Sequence, residues 1–146
     1  MKPSTQKQLV LARRPKGMPT EDDIVLAEGR VRAPGAGEVV LRNLYLSLDP
    51  AQRDWMNDSV SYLPPIGIGE PIRSTTLGQG VETRCDDLAV GDLVVGLATN
   101  AWQEYSTTAG EQLERIEERE FPPHYHLTIF GGAMGMTPYF GMLKLG

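Results

Sequence analysis

The chain has 146 residues and a mass of 16.0 kDa, which fits one domain with a real core. Apolar types make up 40%, mean hydropathy is -0.27 and the formal net charge is -5. That balance excludes a nucleic-acid binder and a membrane span, because there is no dense Lys/Arg cluster and no run of ~18 apolar residues.

The 16 glycines and 11 prolines argue against a helical bundle and for a turn-rich β protein. Gln8 to Arg14 is predicted as a strand entering a turn at Pro15-Lys16-Gly17, with Arg13, Arg14 and Lys16 as a solvated strand end. Ile24 to Val31 is a second extended segment, closed by Ala33-Pro34-Gly35-Ala36-Gly37. Glu38 to Leu48 is the strongest strand. Its even positions Val40, Arg42, Leu44, Leu46 and Leu48 are mostly apolar and suggest a core face. Its odd positions pass from Val39 and Leu41 to Asn43, Tyr45 and Ser47, a polar row where a cleft opens.

Asp49-Pro50-Ala51-Gln52 carries a cap, a first-turn proline and a capping-box glutamine, predicting a short helix to about Asn57. Ser61 to Arg73, with Pro64-Pro65, Gly67, Gly69 and Pro71, is predicted as a rigid irregular loop. Gly78-Gln79-Gly80 reads as a tight turn into a strand running to Cys85. Asp92 to Leu97, Trp102 to Thr108 and Gln112 to Ile116 are further strands, and Glu117 to Glu120 is a charged surface stretch. Thr137-Pro138 repeats the cap-plus-proline signal, so a helix is expected over Tyr139 to Leu145. Met136, Phe140 and Leu143 share one face of it, Tyr139, Met142 and Leu145 cover much of the rest, and Lys144 is its only charge. A helix apolar nearly all round expects cover on all sides.

The candidate chemistries are few. His124 and His126 have a chelating H-x-H spacing, but with Cys85 as the one cysteine the ligand set for zinc is incomplete, and a plain loop is expected there. There is no G-x-S-x-G, and Asp86 and Asp87 beside Cys85 disfavour a thiolate. There is no phosphate-binding G-x-x-x-x-G-K-[ST]. Gly131 to Gly135, ahead of the Thr137-Pro138 start, would suit either an anion at a helix N-terminus or close backbone packing. Tyr45 and Tyr62 carry phenols that stay protonated at neutral pH and can donate to a developing oxyanion. Trp55 and Trp102 read as core or loop anchors. The lone Cys85 and the absence of an apolar leader in the first fifteen residues point to the cytoplasm.

Several motifs resemble, in order, the zinc-independent, NADP-dependent medium-chain dehydrogenase/reductase family, in particular its prostaglandin reductase and double-bond reductase branch. They are Arg13-Arg14-Pro15-Lys16-Gly17-Met18-Pro19, Gly37-Glu38-Val39-Val40, Tyr45-Leu46-Ser47-Leu48-Asp49-Pro50, Val90-Gly91-Asp92-Leu93-Val94, Trp102-Gln103-Glu104-Tyr105 and Gly135-Met136-Thr137-Pro138-Tyr139-Phe140-Gly141. The resemblance implies a mainly β fold with short helices, a GroES-like partly open β-barrel, lacking the Rossmann domain expected after it. Residues 1–130 would be that domain and 131–146 the start of a connecting helix. It implies reduction of the C=C bond of a small enone or enal with NADPH, no zinc, a Rossmann domain as partner in the same full-length chain, and a homodimer. By the same resemblance Tyr45 is catalytic, Tyr62 and Asn43 bind substrate, and Thr137 and Met134 lie at the cofactor. Ala51-Gln52 departs from the family's Tyr-Met, which implies a pocket wall without that aromatic. Two rival readings are a GroES-like interaction module without redox activity and a zinc alcohol dehydrogenase domain, the latter disfavoured by the single cysteine.

Overall fold

The structure, a computed structural model, describes residues 2–59, 61–98, 100–117, 120–130 and 132–145, with side chains left out for 132–134 and 145. It is mainly β. Strands β1 (Thr5–Leu11) and β2 (Ile24–Arg30) form an antiparallel ribbon. Strands β3 (Glu38–Leu46), β4 (Ser74–Thr83), β5 (Leu93–Ala98), β6 (Tyr105–Ala109) and β7 (Leu113–Arg115) form an antiparallel sheet in the order β6-β3-β4-β5-β7. Bridges Gln8↔Gln103 and Val10↔Pro71 lay the ribbon against the sheet, giving the expected partly open barrel with neither sheet closed. Helix α1 (Pro50–Trp55) and helix α2 (Gly132–Leu145) complete it.

The local signals explain most elements. The turn at Pro15-Lys16-Gly17 uses a left-handed Gly17 (φ 89), a conformation that glycine alone adopts without strain. Helix α1 starts as predicted: Asp49 and Gln52 form the capping box, with Asp49 N–H donating to Gln52 Oε1 at 3.2 Å. One core cluster gathers Leu11, Trp55, Met56, Ile66 and Ile72, and another Val39, Leu41, Leu88 and Val94.

Five expectations are corrected. On β3, Val39, Val40 and Leu41 are all buried, whereas Leu44, Leu46 and Leu48 of the supposed core face are exposed. The first half of the strand is covered on both sides, and a register shift between Asn43 and Tyr45 breaks the alternation beyond it. Gly78-Gln79-Gly80 is strand interior, not a turn. β4 already starts at Ser74, and a Cβ on Gly78 would lie 3.0 Å from the Arg42 carbonyl oxygen, so glycine there permits close sheet packing. The basic run is not simply solvated: Arg13 pairs with Asp22 and Asp23, and half-buried Arg14 donates to the carbonyls of Met56 (2.9 Å) and Ile66 (2.6 Å). His124 and His126 sit in a 3-10 helix, Pro123–Leu127, rather than a plain loop. Helix α2 begins at Gly132, so Thr137-Pro138 is helix interior and the helix runs one hydrogen bond short through the proline. Of the glycine-rich segment, Gly131 lies outside the described residues. Gly135 serves packing, since a Cβ there would overlap the Ile129 carbonyl. Along α2, Met136, Tyr139, Phe140, Met142 and Leu143 are all exposed. Glu118 and Arg119 of the expected charged stretch lie outside the described residues.

Candidate functional site

The segment after β3 is tied down before it reaches α1. Ser47 N–H donates to Thr75 O (2.9 Å), Ser47 Oγ to Asp49 (2.5 Å), and both Gln52 Nε2 (2.9 Å) and Ser74 Oγ (2.5 Å) donate to Ser47 O. This rigid corner, together with α1, strands β4 and β5, the 3-10 helix and α2, encloses an open cleft of about 680 Å³. One wall is aromatic. Trp55 lies one helical turn after Ala51, and both line the cleft. Tyr62 stands edge-on to the Trp55 ring, centroids 5.9 Å apart at 70°. Glu111, Glu114, His126, Phe130 and Thr137 line the cleft as well.

Arg73 supports the aromatic wall. Its guanidinium lies 5.4 Å over the Trp55 ring, and its Nη1 donates to Pro64 O at 2.9 Å. Burial pushes its pKa down from the usual arginine value, opposed by the Glu70 carboxylate and the Tyr62 phenol, and an arginine stays charged regardless.

The predicted site residues are divided by this geometry. Tyr62 and Thr137 both line the cleft. Tyr45 is outside the lining. It is 51% exposed, it precedes the cleft residue Ser47 by two, and its ring rests 5.6 Å from that of His124. Asn43 is engaged elsewhere. Its Nδ2 donates to Ala101 O and Gln103 O, each at 2.9 Å, and its Oδ1 accepts from Ser106 Oγ at 2.9 Å, so no amide hydrogen remains for a ligand. Met134 falls within α2, but its side chain lies outside the described residues. The sequence reading missed Trp55 and His126, which line the cleft, and Arg73, which packs over the Trp55 ring. For Arg73 there was a signal, a charge between Ile72 and Ser74 just ahead of an alternating strand. No group of three His, Cys, Asp or Glu side chains among the described residues has a metal-holding arrangement. No described helix is long and apolar enough to cross a membrane.

A family model for the N-terminal domain of oxidoreductase matches residues 7–116. The chain belongs to that family, within the zinc-independent medium-chain dehydrogenases/reductases. It is 38% identical over 140 residues to the NADPH-dependent curcumin reductase of Escherichia coli (strain K12), covering 96% of this chain and 40% of that protein. It is 32% identical over 142 residues to the NADP-dependent 2-alkenal reductase of Nicotiana tabacum, covering 94% of this chain and 40% of that one. The solved structure of CurA from Vibrio vulnificus superposes with a TM-score of 0.82 at 35% identity, covering 95% of this chain and 40% of that chain. CurA has also been solved in complex with NADPH, and that structure superposes at 0.81 with 34% identity over 94% of this chain and 40% of that one. The chain thus spans about two fifths of the length of these relatives.

Proposed function

We propose that this chain is the substrate-side domain of an NADPH-dependent reductase acting on the C=C bond of a small enone or enal in the cytoplasm. The observation that carries the reading is the cleft, with its aromatic wall of Trp55 and Tyr62, in a chain whose relatives include enzymes named curcumin reductase and 2-alkenal reductase. When bound, NADPH supplies a hydride to the β-carbon. The chain's residues hold the substrate. Trp55 and Tyr62 cover its apolar body, and the Tyr45 hydroxyl donates to the carbonyl oxygen as negative charge gathers there, until a proton reaches the α-carbon.

The residues present fit only part of this cofactor. Thr137, and Met134 on the same helix, would lie on its side of the cleft. The pyrophosphate has no cradle on α1, whose N-terminus is already capped by Asp49. A Rossmann domain in the same full-length chain is therefore the partner that this reading requires, with residues 131–146 as the start of the connector and a homodimer as the assembled form. The test is twofold. The chain by itself should neither bind NADPH tightly nor oxidise it with an enone. The chain joined to a dinucleotide-binding domain should consume NADPH in step with loss of the enone double bond. A joined protein that folds, binds NADPH and leaves a panel of enones and enals untouched would overturn the reading.

A further inference from the structure

The turn that follows β1 takes no part in lining the cleft, yet one of its arginines holds the chain on both sides of Tyr62. Helix α1 ends at Trp55. The chain leaves it, passes Tyr62 and returns at Ile66, whose N–H donates to Trp55 O at 2.8 Å. A single nitrogen of Arg14 closes the neck of this excursion. Its Nη1 donates to Met56 O at 2.9 Å on the outgoing arm and to Ile66 O at 2.6 Å on the returning arm. The last carbonyls of a helix lack partners within it, and a basic side chain is one of the groups that supplies them. Met56 and Ile66 are 3% and 1% exposed, so water has little access in place of the guanidinium.

The turn is held in return. Arg53 of α1 donates from Nε to Gly17 O at 2.7 Å and from Nη2 to Pro15 O at 3.0 Å. Two arginines thus cross in opposite directions between the same two segments and tie them into one unit. Within the excursion two more bonds are formed, Ser61 Oγ to Asp54 at 2.8 Å and Arg73 Nη1 to Pro64 O at 2.9 Å. Neither spans the two arms at the neck. Tyr62 itself is 74% exposed, and its one aromatic contact among the described residues is the Trp55 ring. Packing therefore does little to hold the Tyr62 ring, and its place over the cleft is set by the backbone that carries it.

We propose that Arg14 is a positioning residue for the cleft: by holding the neck closed it sets Tyr62 edge-on to Trp55, and with it the wall against which the apolar body of a ligand lies. This rests on the reading of the cleft as a substrate pocket. Arg14 touches no ligand and acts through Tyr62.

Arg14→Met, which removes the donors and keeps an extended side chain, is compared with the unaltered chain by NMR of the tyrosine rings and by titration with 4-phenyl-2-butanone, a saturated ketone with an apolar body. In the unaltered chain the Trp55 ring should displace the Tyr62 signals. In Arg14→Met these signals should move toward those of a free tyrosine in an otherwise folded spectrum, and the probe should bind ~10-fold more weakly. Arg14→Lys carries three donors on one nitrogen with one bond less reach, and it should recover part of both. Arg13→Met is the control, because Arg13 is tied to Asp22 and Asp23 instead; it should leave the Tyr62 signals in place and the affinity within about twofold. Signals and affinity unmoved in Arg14→Met, or moved as far in Arg13→Met, would overturn the proposal and leave Arg14 a contributor to stability alone. Should Arg14→Met not fold, a lowered melting temperature in Arg14→Lys with signals and affinity unmoved does the same. A chain that binds no probe would overturn the cleft reading and this proposal with it. Unmoved Tyr62 signals in a chain that binds the probe would remove only the role of Arg14 and leave the reductase reading intact.

Discussion

Replacing Asn43 with alanine should cost about 3 kcal/mol of stability, an estimate that follows from what the amide leaves behind. Asn43 joins β3 to the stretch leading into β6 through three hydrogen bonds, to Ala101 O, Gln103 O and Ser106 Oγ. Ala101 O would keep a partner, since Gln103 N–H donates to it at 2.7 Å. The Gln103 carbonyl would lose its amide donor, and the fully buried Ser106 hydroxyl its acceptor. A buried polar group left unsatisfied costs ~1–3 kcal/mol; about 2 kcal/mol for the buried Ser106 hydroxyl and about 1 kcal/mol for the partly buried Gln103 carbonyl give the quoted sum. In urea this is a midpoint shift of roughly 1–3 M at unchanged slope, read by far-ultraviolet circular dichroism. Asn43→Ala combined with Ser106→Ala should cost less than the two singles added, by about 1 kcal/mol, because the second change removes the orphaned hydroxyl. A loss below ~1 kcal/mol would refute this accounting. An effect of Asn43→Ala on ligand affinity without loss of stability would return Asn43 to the cleft.

Three further outcomes are expected. In a two-domain protein, Tyr45→Phe should lower kcat about 10–100-fold, near 1.4–2.7 kcal/mol, with little change in cofactor affinity or melting temperature; unchanged turnover with a large drop in melting temperature would show the hydroxyl to be structural. Acid should unfold the chain through two carboxylates. The Arg13 guanidinium, then the Thr20 N–H, hold Asp23 at about 2, and the Arg32 guanidinium, then the Gly35 N–H, hold Glu38 at about 2. Both folded values lie below the unfolded ones, so their stabilisation is complete above about pH 4.5 and is lost as pH falls toward about 2. Melting temperatures across that window should fall, and fall less steeply in Asp23→Asn; a flat profile would contradict the assignment. Finally, the exposed apolar residues of α2 should make the isolated chain self-associate with concentration, and Phe140→Glu with Met142→Glu should suppress this in sedimentation runs without lowering the melting temperature. A chain monomeric at high concentration before any substitution would speak against it.

Sequence by itself determined the class of fold and the places where the chain turns. Pro15-Lys16-Gly17, the Asp49-Pro50 helix start and the Pro/Gly loop up to Arg73 are local events, governed by dihedral preference and capping within a few residues, and each appears as predicted. The family was legible too, because its motifs fix turns and strand ends in a set order. What the sequence did not determine was which groups share a space. Asn43 and Tyr45 have the same parity on one strand, yet Asn43 is bonded into the segment before β6 while Tyr45 is exposed with its ring beside that of His124. The register shift that breaks the alternation between them is made by pairing with β4, more than 30 residues away. The Thr137-Pro138 signal marked a helix but misplaced its start, since contact of Gly135 with the Ile129 carbonyl is invisible to a local cap rule. Trp55, Tyr62 and Arg73 come from a helix, a loop and the approach to a strand, and no periodicity joins them. Tertiary packing alone stacks them into one wall, because burial of the Trp55 ring in the core leaves its faces to whatever the loop and β4 bring over it.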